Sequence, residues 1–310
     1  MAASDKWADW LRRHRYGDDP GWKEHTLAKL EPVRDRVLDL AELEPGNTVL
    51  DVGTGEGLIA FGALERTAPD GRVIFSDISR ALLDQCREIA EELGVSERCS
   101  FVEASAEDLG AFQSESVDVV TTRSVLIYLR DRAAALCEFF RVLRPGGRLA
   151  SFEPINSFGH PWPEHLFWGY DVTPVQKLGR KVLALYKESA EQSGENTLID
   201  FDERDLFAWT ESAGFANIDM RYEAVVGPES PLAGISWDAF LRFSGNPLAP
   251  TIQEAVDRAL TPGERGRFFA HLRPLVERGK GTSRSATVYL AARKGTGARP
   301  QPGAREPGSS

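Results

Sequence analysis

The spacing of apolar residues changes period several times along the chain. Residues 5–15 place Trp7, Trp10, Leu11 and His14 at helical intervals, and residues 22–42 do the same with Leu27, Leu30, Val33, Val37, Leu38 and Leu40. Both read as amphipathic helices. The turn EPGN at 44–47 then opens an alternation of short β-branched runs and helical stretches. TVLDV (48–52), GRVIFSD (71–77), RCSFVEA (98–104), SVDVVTT (116–122) and RLASFEP (148–154) read as strands 1 to 5. Helices are predicted over LIAFGALERT (58–67), SRALLDQCREIAEEL (79–93), with Ser79 as N-cap, and RDRAAALCEFFRVL (130–143). The last of these is expected to break at Pro145–Gly147. Beyond residue 154 the pattern becomes helical or irregular and rich in aromatics. ANIDMRYEAVV (216–226) and SATVYLAAR (285–293) read as the final two strands.

Strand–helix alternation with nearly continuous apolar strands predicts a parallel sheet covered on both faces. The organisation expected is an N-terminal helical cap over 1–46 and one α/β domain over 47–294. Insertions at about 155–214 and 227–284 have apolar helical spacing of their own and are expected to form one helical cap over the carboxyl ends of strands 4 and 5. The tail 295–310 has no apolar face and is expected to be disordered and dispensable.

Composition narrows the function classes. With 310 residues and an apolar fraction of 42%, the chain can bury a sizeable core. A formal charge of -10 disfavours a nucleic-acid substrate. Cys86, Cys99 and Cys137 form no paired motif, so neither a disulfide framework nor a cysteine-rich metal site is expected. The N-terminus lacks the apolar core of a signal peptide, and no apolar run approaches ~20 residues. The expectation is a soluble cytoplasmic protein, monomer or homodimer, acting on a small molecule, without membrane or nucleic-acid partners.

The stretch VLDVGTGEGLIAFGALE (49–65) carries the first chemistry. A strand ends in Asp51 and turns through Gly53, Gly55 and Gly57 into a helix, as where a ligand approaches the backbone closely. A dinucleotide fits poorly, because Leu58 stands where the last glycine of GxGxxG belongs. No Tyr-x-x-x-Lys pair follows either. S-adenosylmethionine (SAM) fits better. It needs a second carboxylate at the end of strand 2 for the ribose hydroxyls, and Asp77 stands there, 77 − 53 = 24 residues after Gly53. It also needs an element after strand 3 to meet the adenine, and EASAEDL (103–109) is so placed.

The blocks LDVGTGEG, IFSDIS, ASAEDL, VDVVTTRSVLIYL and FFRVLRPGGRLASFEP occur in that order between about Val49 and Pro154. In them the chain resembles the class I SAM-dependent methyltransferases of the small-molecule branch. The Trp-rich N-terminus, FWGYDVTP, SGNPL and LRPLVERGKG further resemble an actinobacterial-type group of that family, which implies no particular substrate. The resemblance implies a Rossmann-like, doubly wound, mostly parallel seven-stranded sheet with its last strand antiparallel, and SAM as methyl donor. By the same resemblance Gly53, Thr54, Gly55 and Gly57 line the methionine part, and Asp51 orients that loop or meets the amino group through water. Asp77 accepts the ribose hydroxyls, Ile78 packs on the adenine, and Ser105, Ala106 and Glu107 border its edge. Ser105 departs from the family, which often has aspartate there; a hydroxyl is a weaker, neutral acceptor. Arg123 is implied near the cofactor carboxylate or the substrate.

The acceptor is less defined. After strand 4 stands TTRS (121–124), without the Pro-Pro motif of DNA and glutamine N-methyltransferases or a Pro-Cys nucleophile. No cysteine follows Cys137, against an arsenite enzyme. Thr121, Thr122, Glu153 and Asn156 do not supply a catechol-type metal site, so no catalytic metal is expected. The aromatic run Phe158, Trp162, Phe167, Trp168 and Tyr170 suits either a small-molecule pocket wall or cap packing. The candidate bases are His160, His165 and Glu153, at or just after the strand-5 tip, while Tyr128 and Arg123 are candidates to orient a polar substrate. A small, partly apolar acceptor methylated by in-line displacement is the reading adopted, with O-, N- and C-methylation all open. The alternative is a SAM-binding regulatory or partner subunit without turnover.

Overall fold

The computed structural model describes residues 5–192 and 197–296. The N-terminus forms a short helix α1 (Lys6–Asp9), capped by the Asp5 carboxylate, which runs into a π-helical turn at Trp10–His14. After α2 (Pro20–Leu40) the alternation begins: β1 (Thr48–Val52), α3 (Leu58–Arg66), β2 (Arg72–Asp77), α4 (Arg80–Glu92), β3 (Cys99–Glu103), β4 (Val117–Arg123), α5 (Arg132–Val142) and β5 (Leu143–Pro154). A hairpin of β6 (Leu166–Phe167) and β7 (Tyr170–Asp171) follows, then α6 (Gln176–Gln192), α7 (Glu203–Ser212) and β8 (Ala216–Glu229). The chain continues through α8 (Trp237–Arg242), α9 (Ile252–Ala259) and α10 (Pro262–Arg278), and closes with β9 (Lys280–Arg293).

Seven strands make one sheet in the order β3-β2-β1-β4-β5-β9-β8. The first five are parallel, and β9 lies antiparallel between β5 and β8. The side-chain period of two sends successive residues to opposite faces. Val49, Val119 and Ala150 enter one core with α2, α3 and α4, while Leu50, Val120 and Leu149 enter the other with α5 and α7. Burial on both faces explains why these strands read as unbroken apolar runs.

A third core lies beyond the sheet. Phe167, Tyr170, Val182, Leu232, Phe240, Val256, Phe268 and Leu272 bury together, so α6, α8, α9 and α10 share one apolar centre with the β6–β7 hairpin. Tyr16 and Trp22 of the N-terminal segment complete it. Residues 280–286 of β9 run past Thr287, the partner of Pro154, and so outreach β5 at its carboxyl end. Thr282 N–H donates to Gly169 O at 2.8 Å, which ties the hairpin to that overhang. The helical layer is thereby held at the carboxyl end of the sheet, where open parallel sheets bind ligands.

The structure redraws several elements. Helix α7, inside the predicted insertion 155–214, packs Leu206 with Phe201 and Phe215 into the sheet core beside α5, and is a sheet-covering helix. Pro145–Gly147 do not break α5, which stops at Val142; they lie within β5, beside a register shift in its pairing with β4. Strand β9 begins at Lys280, because the polar stretch 280–284 finds backbone partners on a lengthened β8. Of the predicted tail, residues 297–310 lie outside the described residues. No helix among the described residues is long and apolar enough to cross a membrane.

Gly17 joins the N-terminal segment to the helical layer. Its φ is 58°, and a Cβ there would overlap the carbonyl of Ala239 in α8. Substitution Gly17→Ala therefore combines left-handed strain with a backbone clash, and a loss of ~2 kcal/mol or more is expected. Thermal unfolding checks this; an unchanged melting temperature would show that the segment is not seated on α8.

Candidate functional site

The site grows from the end of β1. The chain leaves Val52 through Gly53, Gly55 and Gly57 at φ 66°, 56° and 83°, and α3 starts at Leu58. Two backbone donors of this turn reach the end of β2: Thr54 N–H to Ser76 O and Gly55 N–H to Asp77 Oδ2, both 2.9 Å. The turn is crowded where a ligand would need the backbone bare. A Cβ at position 53 would overlap Val125, and one at 57 would overlap the Phe61 ring.

Asp51 lies buried under the turn and accepts from Thr121 Oγ1 at 2.8 Å. Burial pushes its carboxyl up to about 6, against the opposing pull of that hydroxyl. Asp77 is also buried and raised by desolvation, although Gly55 N–H and Ser79 N–H each donate to it at 2.9 Å. Two backbone bonds leave the carboxylate with further lone pairs to offer. The Ser79 hydroxyl accepts from Leu82 N–H as N-cap of α4, and it donates to Asp5 Oδ2 at 2.6 Å. Next to Asp77, Ile78 is 50% exposed, a bare apolar surface beside a buried carboxylate. Thr54 is buried as well, and its hydroxyl helps Thr121 hold the Asp51 carboxyl down against burial. A nucleoside with an amino-acid tail suits this set: diol acceptor, apolar face for a base and a side-chain-free turn.

The loop after β3 starts beside Asp77, where Ala104 N–H donates to Asp77 O at 3.1 Å. Ser105 Oγ accepts from Glu107 N–H at 3.2 Å, and Ala106 is buried. Glu107 accepts Arg130 N–H at 2.9 Å and Asp131 N–H at 2.7 Å on its Oε1. Its role is to tie this loop to the start of α5.

The tip of β4 is organised by Glu153. This wholly buried side chain accepts Val125 N–H and Leu126 N–H on Oε1, at 2.9 and 3.0 Å, and Ile127 N–H on Oε2 at 3.2 Å. Burial raises it to about 7 even against these three donors. The bonds fold residues 125–127 back, placing Val125 over Gly53. Tyr128 follows, in edge contact with Trp7 of α1 at 4.9 Å, and desolvation lifts its hydroxyl to about 12. Arg123, the last residue of β4, is drawn down to about 10 by burial, with Arg15 adding repulsion.

The structure thus brings Asp51, Gly53, Thr54, Gly55, Gly57, Asp77, Ile78, Arg123 and Glu153 to one end of the sheet. It leaves the two histidines elsewhere. His160 is exposed and meets Trp162, while His165 is exposed in the electrostatic neighbourhood of Asp171. Neither has a hydrogen-bond or ring contact with the glycine turn or the β4 tip among the described residues. What the sequence reading missed is the roof. The Tyr16 hydroxyl donates to Glu56 Oε2 at 3.1 Å and Lys23 Nζ donates to Glu56 Oε1 at 2.6 Å, so the N-terminal segment grips the glycine turn itself, with Leu11 against Gly55. The amphipathic period of residues 5–15 signalled a helix with a buried face but not what it covers. No group of three or more His, Cys, Asp or Glu side chains among the described residues could hold a metal ion.

Comparison with known proteins agrees with this geometry. A methyltransferase-domain family model matches residues 43–162. The ubiquinone/menaquinone biosynthesis C-methyltransferase of Enterobacter sp. (strain 638) is 31% identical over 184 residues, 59% of this chain and 71% of the relative. Among solved structures, a geranyl diphosphate methyltransferase in complex with SAM superposes with a TM-score of 0.50 at 17% identity, over 89% of this chain and 91% of its own. The [4+2]-cyclase SpnF superposes at 0.51 and 18% identity, over 92% of this chain and 88% of its own. The chain belongs to the class I SAM-dependent methyltransferases.

The raised Asp51 and Glu153 give a signed pH dependence. Each carboxyl binds its proton more tightly folded than unfolded, so its favourable contribution is complete below about pH 4. It is lost as pH rises through about 6 for Asp51 and about 7 for Glu153. The melting temperature of the ligand-free protein is expected to fall between about pH 4 and 7 through these two groups. Glu153→Gln should flatten the upper part of that slope. An identical slope in the variant would show that Glu153 does not titrate there.

Proposed function

We propose that this end of the sheet binds SAM and that the enzyme methylates a small, partly apolar acceptor. In this reading Gly53 to Gly57 line the methionine part, Asp77 accepts the ribose hydroxyls, and Ile78 with Ser105 and Ala106 borders the adenine. The observation that supports it most is the bond from Gly55 N–H to Asp77, which holds the bare turn and the buried carboxylate in one frame. When bound, SAM supplies a sulfonium methyl that is already electrophilic. The protein's contribution is then placement: holding the acceptor in line and excluding water.

The surroundings suit an apolar acceptor. Trp7 and Tyr128 meet above the β4 tip, and the series Trp162–Trp168–Phe243 leads to Ser244, whose carbonyl accepts from Trp10 Nε1 at 2.9 Å. Carbon as the acceptor atom has the support of the Enterobacter relative, itself a C-methyltransferase. Of the three candidate bases, Glu153 is committed to backbone donors and is better read as a positioning residue for the β4 loop. His160 and His165 are exposed and make no contact with the glycine turn or the β4 tip among the described residues, which supports positioning, without one of these three as general base, as the mechanism.

Calorimetric titration is expected to show SAM binding in the micromolar range and no NAD binding. Asp77→Ala removes charge-assisted bonds of roughly 1.5–3 kcal/mol, so the affinity should drop tenfold or more. SAM consumption with a metabolite extract should be unchanged within about twofold in His160→Ala and His165→Ala, against the ~10²-fold loss or more expected for a true base. Protein that binds NAD and not SAM would sink the cofactor reading, and a large loss in either histidine variant would restore a base.

A further inference from the structure

One border of the sheet lacks the usual protection of an edge. Among the described residues β8 pairs with β9 alone, and its other side presents backbone N–H and C=O groups along a strand of 14 residues. The opposite border, β3, is only five residues long. Edge strands are commonly guarded by short length, lysine, proline or bulges. In β8 the guards stand only at the ends. Its pairing with β9 shifts register between Ala216 and Asp219, and again between Gly227 and Glu229, where Pro228 lies. From 219 to 227 the strand is regular and holds neither lysine nor proline. On this stretch Tyr222, Val225 and Val226 are exposed at 39%, 57% and 71%.

The charges of the same stretch single out one register. Asp219, Arg221 and Glu223 alternate along β8 and so share a face. It is the α2 face, since Glu223 pairs with Arg36 of α2 at 2.6 Å. Tyr222 lies on the other face, in edge contact with Phe158 at 6.4 Å. Residues directly opposite in an antiparallel pair share a face, so a two-fold pairing of β8 with itself sets one residue opposite its own copy. Centred on 221, the pairing opposes Arg221 to Arg221 and Asp219 to Glu223. Centred on 223, it opposes Glu223 to Glu223. Centred on 222, it opposes Arg221 to Glu223 twice. Centres at 220 or 224 run the ladder into the register shift or the proline at its ends. Like charges directly opposite destabilise a pair, and opposite charges support it. Arg221 also lies 3.1 Å from Asp219, so the 222 register joins Asp219, Arg221, Glu223 and Arg36 of the two copies into a network. Networks of this kind are worth more than isolated surface pairs.

We propose that β8 is a homodimer interface, in which two copies pair antiparallel through residues 219–225 with Tyr222 opposite Tyr222, extending one sheet into the other. The occupant is a second copy because the order of charges is complementary to itself in this register and repels in the neighbouring ones. The two Tyr222 rings meet beside Phe158, and Val226 of each copy is brought toward Ile218 of the other. The β8–β9 ribbon, whose overhang holds the β6–β7 hairpin through Thr282, then stands at the middle of the assembly and not at its rim. This interface is independent of what the cleft binds.

Sedimentation of the full chain at micromolar concentration is expected to give the mass of a dimer. Arg221→Glu sets glutamate opposite glutamate, and Glu223→Arg sets arginine opposite arginine, so each variant alone should dimerise ~10-fold or more weakly. Mixed in equal amounts, the two restore opposite charges at both positions, and a mixed dimer of about wild-type strength should form. Register is read by mild oxidation of Tyr222→Cys and Val225→Cys, each in a Cys137→Ser background. Directly opposite residues are within disulfide reach, so Tyr222→Cys should give a covalent dimer. Val225→Cys should not, because position 225 lies ~20 Å along the strand from its own copy. In charge variants that fail to fold, the cross-link alone decides. Wild type that stays monomeric overturns the interface, whether the amides of 219–225 exchange fast, as on a bare edge, or slowly, as under another segment of the chain. A dimer indifferent to both charge variants, or one cross-linked at 225 and not at 222, overturns it equally.

Discussion

Everything near the site bears on the turn between Gly53 and Gly57. It is fixed from below by the buried Asp51, from the β2 side by Asp77, and from the β4 side by Val125. Above it lie Leu11 and the Tyr16–Glu56–Lys23 contacts of the N-terminal segment. A segment approached on all sides needs side-chain-free positions at its closest contacts. Those same positions let a ligand approach the backbone.

Buried carboxylates do the organising. Glu153 collects three consecutive backbone N–H groups of the β4 loop, a task that occupies both its oxygens. Glu107 does similar work where β3 and α5 connect. Such groups are expensive to bury, and the raised Glu153 shows that cost. What is gained is a loop held in one conformation, which is what positioning an acceptor to within a few tenths of an ångström requires.

Much of this was legible in the chain. The strand TVLDV coincides with β1, Ser79 caps α4, and Asp77 ends β2, because each rests on local rules: β-branched alternation, an N-cap hydroxyl, a strand terminus. The mostly parallel seven-stranded sheet with its last strand antiparallel followed from the family likeness. Features set by distant partners were not legible. Helix α7 has a pattern that would suit either the cap or the sheet, and only its packing with α5 decides. The polar start of β9 carries no strand signal and is held by pairing with β8. His160, His165 and Glu153 are close in sequence, yet one turn of chain past Pro154 carries the histidines to the outside while Glu153 stays in the sheet. The roof was hidden most completely, since Tyr16 and Glu56 are 40 residues apart and nothing local relates them.

The central claim is that the glycine turn, the β4 tip and the N-terminal segment act as one ligand-binding unit. Hydrogen–deuterium exchange with and without S-adenosylhomocysteine tests it most directly. The account expects slowed exchange in three separate stretches together: residues 5–19, residues 53–57 with 77–79, and residues 123–128. Protection confined to the helical layer of α8 to α10, or no protection in the glycine turn, would contradict it.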